Sequence, residues 1–100
     1  MSEYRELFAA KIANLKIGVS IINAGFNVAN KFEDCSDEFL ETTMNINAIH
    51  VFYLAKILSE KLLANDGRSA MIFTSSLAAN RPIVMSVAYS AQKIFTSYIA

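Results

Sequence analysis

Two short apolar runs, residues 17–22 (Ile-Gly-Val-Ser-Ile-Ile) and 70–74 (Ala-Met-Ile-Phe-Thr), stand at either end of a long apolar segment with helical spacing. Continuous apolar runs of this length are what a parallel sheet buries on both faces, and parallel neighbours need a long crossover between them. The intervening segment supplies that crossover. Ser36 followed by Asp37 and Glu38 suits a helix N-terminus, because a hydroxyl can cap free N–H groups and acids complement the positive end of the dipole. From there the pattern predicts a helix to about residue 64. Its middle is apolar nearly all round, through Ile46, Ile49, Val51, Phe52, Leu54, Ile57 and Leu58, so it must be covered on more than one side. Asn65-Asp66-Gly67 reads as the stop, since Asn and Gly tolerate the left-handed conformation that ends many helices.

Ahead of the first run, residues 4–15 place Tyr4, Leu7, Phe8, Ile12 and Leu15 at helical spacing, with Arg5, Glu6, Lys11 and Lys16 on the other face. After the second run, a Ser-containing turn and a loop around Arg81-Pro82 lead to a last helix from near Ser86 to Ala100. The order helix, strand, long helix, strand, helix is the alternation of an α/β layered fold. Two parallel strands alone leave both sheet edges unpaired, so the pattern predicts that the pair needs neighbours. Composition agrees: 54% of residues are hydrophobic and only 18% charged, more apolar than a free-standing domain of 100 residues needs.

Nine basic and nine acidic residues give zero net charge, with no basic patch of the kind that binds nucleic acid or an anionic membrane. Cys35 is the single cysteine and cannot form an internal disulfide, which fits a reducing, intracellular compartment and a packing or surface role. The first six residues carry acids and no apolar stretch, unlike a secretory signal. The apolar stretch 48–58 is broken by His50 and Lys56 and is too short to span a bilayer.

The segment that carries chemistry is Tyr89-Ser90-Ala91-Gln92-Lys93, with Ser76 thirteen positions before the tyrosine at a strand end. On a helix, residues four apart share a face. A phenol is a poor proton donor or acceptor near neutrality, and a fixed ammonium one turn away stabilises the phenolate, the tuning a general acid/base needs. In isolation such a Tyr/Lys pair is usually a solvated helix pair. Here Asn23-Ala24-Gly25 follows the first strand, Asn47 lies in the long helix and Ser76 follows the second strand, in one consistent order.

With those residues the sequence resembles the short-chain dehydrogenase/reductase superfamily over nearly its whole length. The family's Asn-Asn-Ala-Gly strand end is matched as Ile22-Asn23-Ala24-Gly25, without the first asparagine; its active-site asparagine falls on Asn47, its serine on Ser76, and its tyrosine and lysine on Tyr89 and Lys93. The resemblance implies part of a Rossmann-type doubly wound parallel sheet and a reaction between a ketone and a secondary alcohol. Tyr89 would pass the proton, Lys93 would tune it and bond the nicotinamide ribose, Ser76 would hold the substrate oxygen, and Asn47 would position a relay water. Asn23, Ala24 and Gly25 would line the cofactor, NADP(H) in preference to NAD(H). Residues 15–19 and 44–47 look most like the very-long-chain 3-oxoacyl-CoA reductase and 17β-hydroxysteroid dehydrogenase branch; the expected location is intracellular, the cytoplasm, or the endoplasmic reticulum if the 3-oxoacyl-CoA reductase branch holds. The resemblance also implies a homodimer through the two later helices.

One part of the family pattern has no counterpart. The chain has only Gly18, Gly25 and Gly67, and no glycine cluster opens a helix where a dinucleotide pyrophosphate could sit. The expectation is a partial domain, lacking that turn and the later strands, that binds cofactor weakly or not at all and does not turn over alone. The competing expectation is a non-catalytic remnant whose apolar helices associate with a full-length relative. His50 has no partner pattern for a metal and reads as structural, and Asn47 without the family context reads as a satisfied buried amide. Phe52, Tyr53, Phe95 and Tyr98 read as packing residues.

Overall fold

In the computed structural model, which describes residues 2–100, the expected element order is present. Helix α1 (Ser2–Ile12) leads to strand β1 (Val19–Ile22), and β1 pairs in parallel with β2 (Ala70–Phe73), Val19 opposite Ala70 and Ile22 opposite Phe73. The chain is α/β, an incomplete Rossmann-like arrangement. Helix α1 stops at Ile12, short of the expected residue 15. The Lys61 ammonium reaches the carbonyls of Ala13 and Leu15, so a cation from the crossover takes up acceptors freed at the negative end of α1.

The crossover begins where its residues dictate. Ser36 Oγ accepts from Phe39 N at 3.1 Å, and α2 (Asp37–Met44) follows. A wide π turn (Asn45–Ile49), closed by the His50 N–H on the Asn45 carbonyl, joins it to α3 (His50–Leu63). Apolar periodicity does not reveal such a turn, because one extra residue in a segment apolar on most sides leaves the pattern readable as one helix.

The expected left-handed stop is corrected. No glycine has positive φ, and Ala64 at the end of α3 is still right-handed. Asn65 works through its side chain instead, donating to the Ile17 carbonyl at 2.7 Å and to Ser69 Oγ at 3.0 Å. That amide ties the end of α3 to the start of β1, so no left-handed residue is needed.

The two-faced burial expected of the strands is also corrected. Ser20 and Ile22 face inward, whereas Val19 and Ile21 are 60% and 64% exposed, and Ala70 and Ile72 are exposed on the same side. The core of Ile12, Ile22, Val51 and Leu58, with Phe8, Leu54, Ile57, Met71 and Phe73 packed around it, lies on one face of the sheet, where α3 packs against both strands, α1 and α4. Covering on one side makes a thin molecule: its shortest extent is 15 Å, and its radius of gyration of 15.2 Å exceeds the 13 Å or so usual for this length. The amphipathic stripe of α1 is only partly used, with Tyr4 and Leu7 exposed, and Leu15 beyond its end is exposed as well. Helix α4 (Val87–Ile99) starts after Ser86, whose hydroxyl accepts from the Asn27 side chain at 2.9 Å rather than capping the helix.

Candidate active site

Helix α4 places Tyr89 and Lys93 on one face, with Lys93 Nζ 5.7 Å from the centre of the Tyr89 ring. Lys93 is only 3% exposed, and its ammonium donates to the Thr74 carbonyl at the end of β2, 3.0 Å away. Gly25, just past the end of β1, meets the same ammonium from the other side. A Cβ there would lie 3.2 Å from Lys93 Nζ and 3.0 Å from Asn47 Oδ1. Three of the residues singled out in the sequence therefore converge beyond the carboxyl ends of both strands. These two side chains leave little room for a side chain at Gly25, a constraint beside the cofactor approach expected for it.

Burial pushes the Lys93 ammonium below its ordinary value. Among the described residues no carboxylate forms an ion pair with it; the one pair found is the exposed Lys56–Glu60 contact at 3.5 Å. A buried cation with one hydrogen-bond partner and no counter-charge is costly, and such groups concentrate where a site needs them.

Asn47 is fully buried at 0% exposure, and its amide is committed. Oδ1 accepts from Phe26 N at 2.9 Å, and Nδ2 donates to the Phe26 carbonyl at 2.8 Å and to Gln92 Oε1 at 2.7 Å. Gln92 Nε2 donates onward to Thr43 Oγ1 at 3.0 Å, and Thr96 Oγ1 donates to the Asn47 carbonyl at 3.2 Å. Both amide hydrogens of Asn47 are thus spent on protein, and its main-chain carbonyl already accepts from Thr96. The sequence reading did not single out Gln92, Thr43 or Thr96. A signal existed: Thr43 and Asn47, and Gln92 and Thr96, are polar pairs four apart on helix faces that the apolar pattern turns inward.

The two serines divide the work. Ser75 Oγ donates to the Lys93 carbonyl at 3.1 Å and pairs with Ser97 Oγ at 2.6 Å, pinning the exit of β2 to α4. Ser76 Oγ accepts from Ala78 N at 3.1 Å, capping the 3-10 turn Leu77–Ala79 that packs on α4, and keeps its own hydrogen to donate. Asn23 Oδ1 accepts from Thr74 Oγ1 at 2.8 Å and locks the two strand ends together. Ala24 is exposed beside His50. Tyr89 is half-buried and, with Phe26, Asn47, Met85 and Gln92, lines a crevice of about 10 Å³, room for roughly one water. Among the described residues Met85 is the one non-glycine residue of positive φ (64°), and its carbonyl accepts from Asn30 N at 2.7 Å, which pins the loop before α4 to the loop after β1. Cys35 is a free thiol, half-buried. Among the described residues no group of three metal-ligating side chains occurs, and no helix is long and apolar enough to cross a membrane.

The sequence matches the short chain dehydrogenase family over residues 2–99. No curated protein matches. Among solved structures, an alcohol dehydrogenase from the archaeon Thermococcus sibiricus, complexed with 5-hydroxy-NADP, superposes with a TM-score of 0.88 at 21% identity, over 99% of this chain and 42% of its own. A putative short chain dehydrogenase from Escherichia coli CFT073 complexed with NADPH gives 0.84 at 26% identity, again over 99% and 42%. A metagenomic short-chain oxidoreductase in complex with NADP gives 0.86 at 22%, over 99% and 46%. The chain thus spans rather less than half the length of these neighbours. It belongs to the short chain dehydrogenase family.

Proposed function

We propose that the chain supplies the proton-transfer part of an oxidoreductase that interconverts a ketone and a secondary alcohol with a nicotinamide cofactor, NADP(H) in preference to NAD(H). The observation that carries this reading is the Lys93 ammonium, buried without a carboxylate, beside the Tyr89 ring and at the carboxyl ends of two parallel strands. Open α/β sheets bind their ligands at that end. Tyr89 gives a proton to the carbonyl oxygen in reduction and recovers it in oxidation. Ser76 donates its free hydroxyl hydrogen to the same oxygen. Lys93 supplies the positive charge beside the phenol and has two unused N–H donors that suit a ribose hydroxyl. Asn47 sets the height of α4 through its hydrogen bond to Gln92.

The residues fit the ribose end of a nicotinamide cofactor, which when bound supplies the hydride. They do not fit its phosphates: Gly18 and Gly67 stand in open space, and no glycine-rich turn opens a helix. We therefore assign residues 1–100 to a partial cofactor-binding domain whose phosphate turn and later strands come from other sequence. The NADP and NADPH of the solved neighbours support the cofactor assignment. The resemblance of residues 15–19 and 44–47 to the 3-oxoacyl-CoA reductase and hydroxysteroid dehydrogenase branch supports a 3-oxoacyl or hydroxysteroid-like substrate. A homodimer of the parent through α3 and α4 is supported by Phe52, Ile94, Phe95 and Tyr98, all exposed, with the Phe52 and Phe95 rings 6.3 Å apart.

The experiment is a graft. Residues 1–100 replace the matched segment of the Escherichia coli CFT073 dehydrogenase, and NADPH oxidation is followed with a panel of ketones. The expected result is turnover that Tyr89→Phe lowers by about 100-fold or more, with NADPH still bound. Turnover indifferent to Tyr89→Phe would remove the reading. A chimera that binds NADPH but stays inactive with every ketone favours the non-catalytic alternative, which the uncovered face of Val19, Ile21 and Ile72 supports.

A further inference from the structure

We propose that His50 is an acid-sensitive latch beneath the candidate site: as a neutral ring it stays packed under the π turn that carries Asn47, and on protonation it swings into the adjoining cavity and loosens that turn.

His50 closes the π turn through its own N–H, on the Asn45 carbonyl, so its position and that of Asn47 are mechanically linked. Its side chain is 8% exposed, and neither ring nitrogen has a hydrogen-bond partner. A buried imidazole with both nitrogens unpaired is uncommon and costs stability, because the ring has given up water and gained no replacement. The carbonyls of Asn45 and Ile46 lie near enough to favour a charged ring, yet neither meets the geometry of a hydrogen bond.

Beside the ring is an open cavity of about 400 Å³ lined by Tyr4, Ala24, Asn45, Ile46 and His50. The ring therefore has somewhere to go. In its packed position it meets no carboxylate. The titratable and charged groups that face it are the Lys93 ammonium from α4 and the Tyr4 phenol from α1, while Arg5 of α1 is held 5.5 Å above the Tyr53 ring further along α3. Burial first, and the Lys93 charge in addition, push the His50 ring below its ordinary value. A charged ring inside would be stranded beside another cation, whereas in the cavity it meets water.

The released element is the one that matters to the site. The π turn holds Asn47, whose amide joins Phe26 of the loop after β1 to Gln92 of α4. The sign of the pH effect follows from the direction of the shift. The unfolded chain takes up the proton first, at the ordinary histidine value near 6.5, so stability is complete above that pH and falls below it. One proton allows at most about a tenfold change in the unfolding constant per pH unit. The proposal concerns the fold alone and stands whether or not the chain takes part in oxidoreduction.

His50 is the only histidine, so its ring resonances and any histidine-range pH dependence belong to it. In the 100-residue protein, NMR from pH 8 to pH 5 should show the His50 ring titrating below 6.5, with the Asn47 side-chain amide and the His50 N–H exchanging faster over the same interval. Urea midpoints should fall in step, and in His50→Gln should stay level across that range. A ring midpoint at or above 6.5, or π-turn amides unchanged through the titration, would overturn the proposal on the wild type alone, even if the variant failed to fold. A fall in midpoint that persists unchanged in His50→Gln would overturn it as well.

Discussion

At the scale of single residues, the site is organised by what surrounds Lys93 and Asn47. Gly25 is the clearest case, since a methyl group there meets the Asn47 amide oxygen, which accepts from Phe26 N on a side chain whose Nδ2 donates to Gln92, and an ammonium that donates to the Thr74 carbonyl. Gly25→Ala is expected to lower stability by about 1–3 kcal/mol, the usual cost of overpacking a fixed neighbourhood. Gly67→Ala is the control: nothing lies within 4 Å of the added carbon and the backbone φ is not positive, so a change of at most about 1 kcal/mol, in the stabilising direction, is expected. Urea unfolding of the two variants measures the contrast, and equal losses would refute it. The family motif singled out Asn47, Tyr89 and Lys93 as candidates before any coordinates, because chemistry restricts those residue types. Spacing marks Gln92 as an inward polar residue, but its partner and that of Asn65 were not legible. Each acts through a hydrogen bond to a residue more than forty positions away, and no local pattern encodes such a partner.

At the scale of elements, the alternation of the main helices with the two strands could be read from periodicity and capping, Ser36 above all, whereas the crossover's division into α2, the π turn and α3 could not. Nor could the faces. A continuous apolar run says that both sides of a strand suit burial, and only the presence of covering layers decides whether both are buried. Here α1, α3 and α4 accompany the sheet on one face, so β1 alternates between Ile22 inside and Ile21 outside. The two isoleucines should respond differently. Ile22→Ala is expected to cost about 2–5 kcal/mol, as for a buried aliphatic side chain, and Ile21→Thr about 0.5 kcal/mol or less. Guanidinium titrations of both variants check this, and a large loss at Ile21 would mean that the exposed face is covered in solution. The π turn escaped the sequence reading for a related reason. Its apolar neighbours Ile46, Ala48 and Ile49 suit an interior turn of either width, and the wide form shows only in the bond from His50 N–H to Asn45.

At the scale of the molecule, the chain is a thin α/β slab that aligns over nearly its full length with well under half of each solved neighbour. Under the proposed reading it carries the residues that would handle the proton: Tyr89 and the buried, uncompensated Lys93 on α4, Ser76 with a free hydrogen on the turn before it, and an amide network that fixes α4. Its three glycines are scattered and form no glycine-rich turn at a helix N-terminus, the arrangement that dinucleotide-binding folds use for pyrophosphate. The most direct measurement is a fluorescence titration of the purified 100-residue chain with NADPH. The account predicts weak binding that does not saturate up to about millimolar cofactor, a free energy of about −4 kcal/mol or less in magnitude. Saturable binding at micromolar NADPH would contradict it, because the phosphates would then have found a site that these residues are held not to provide.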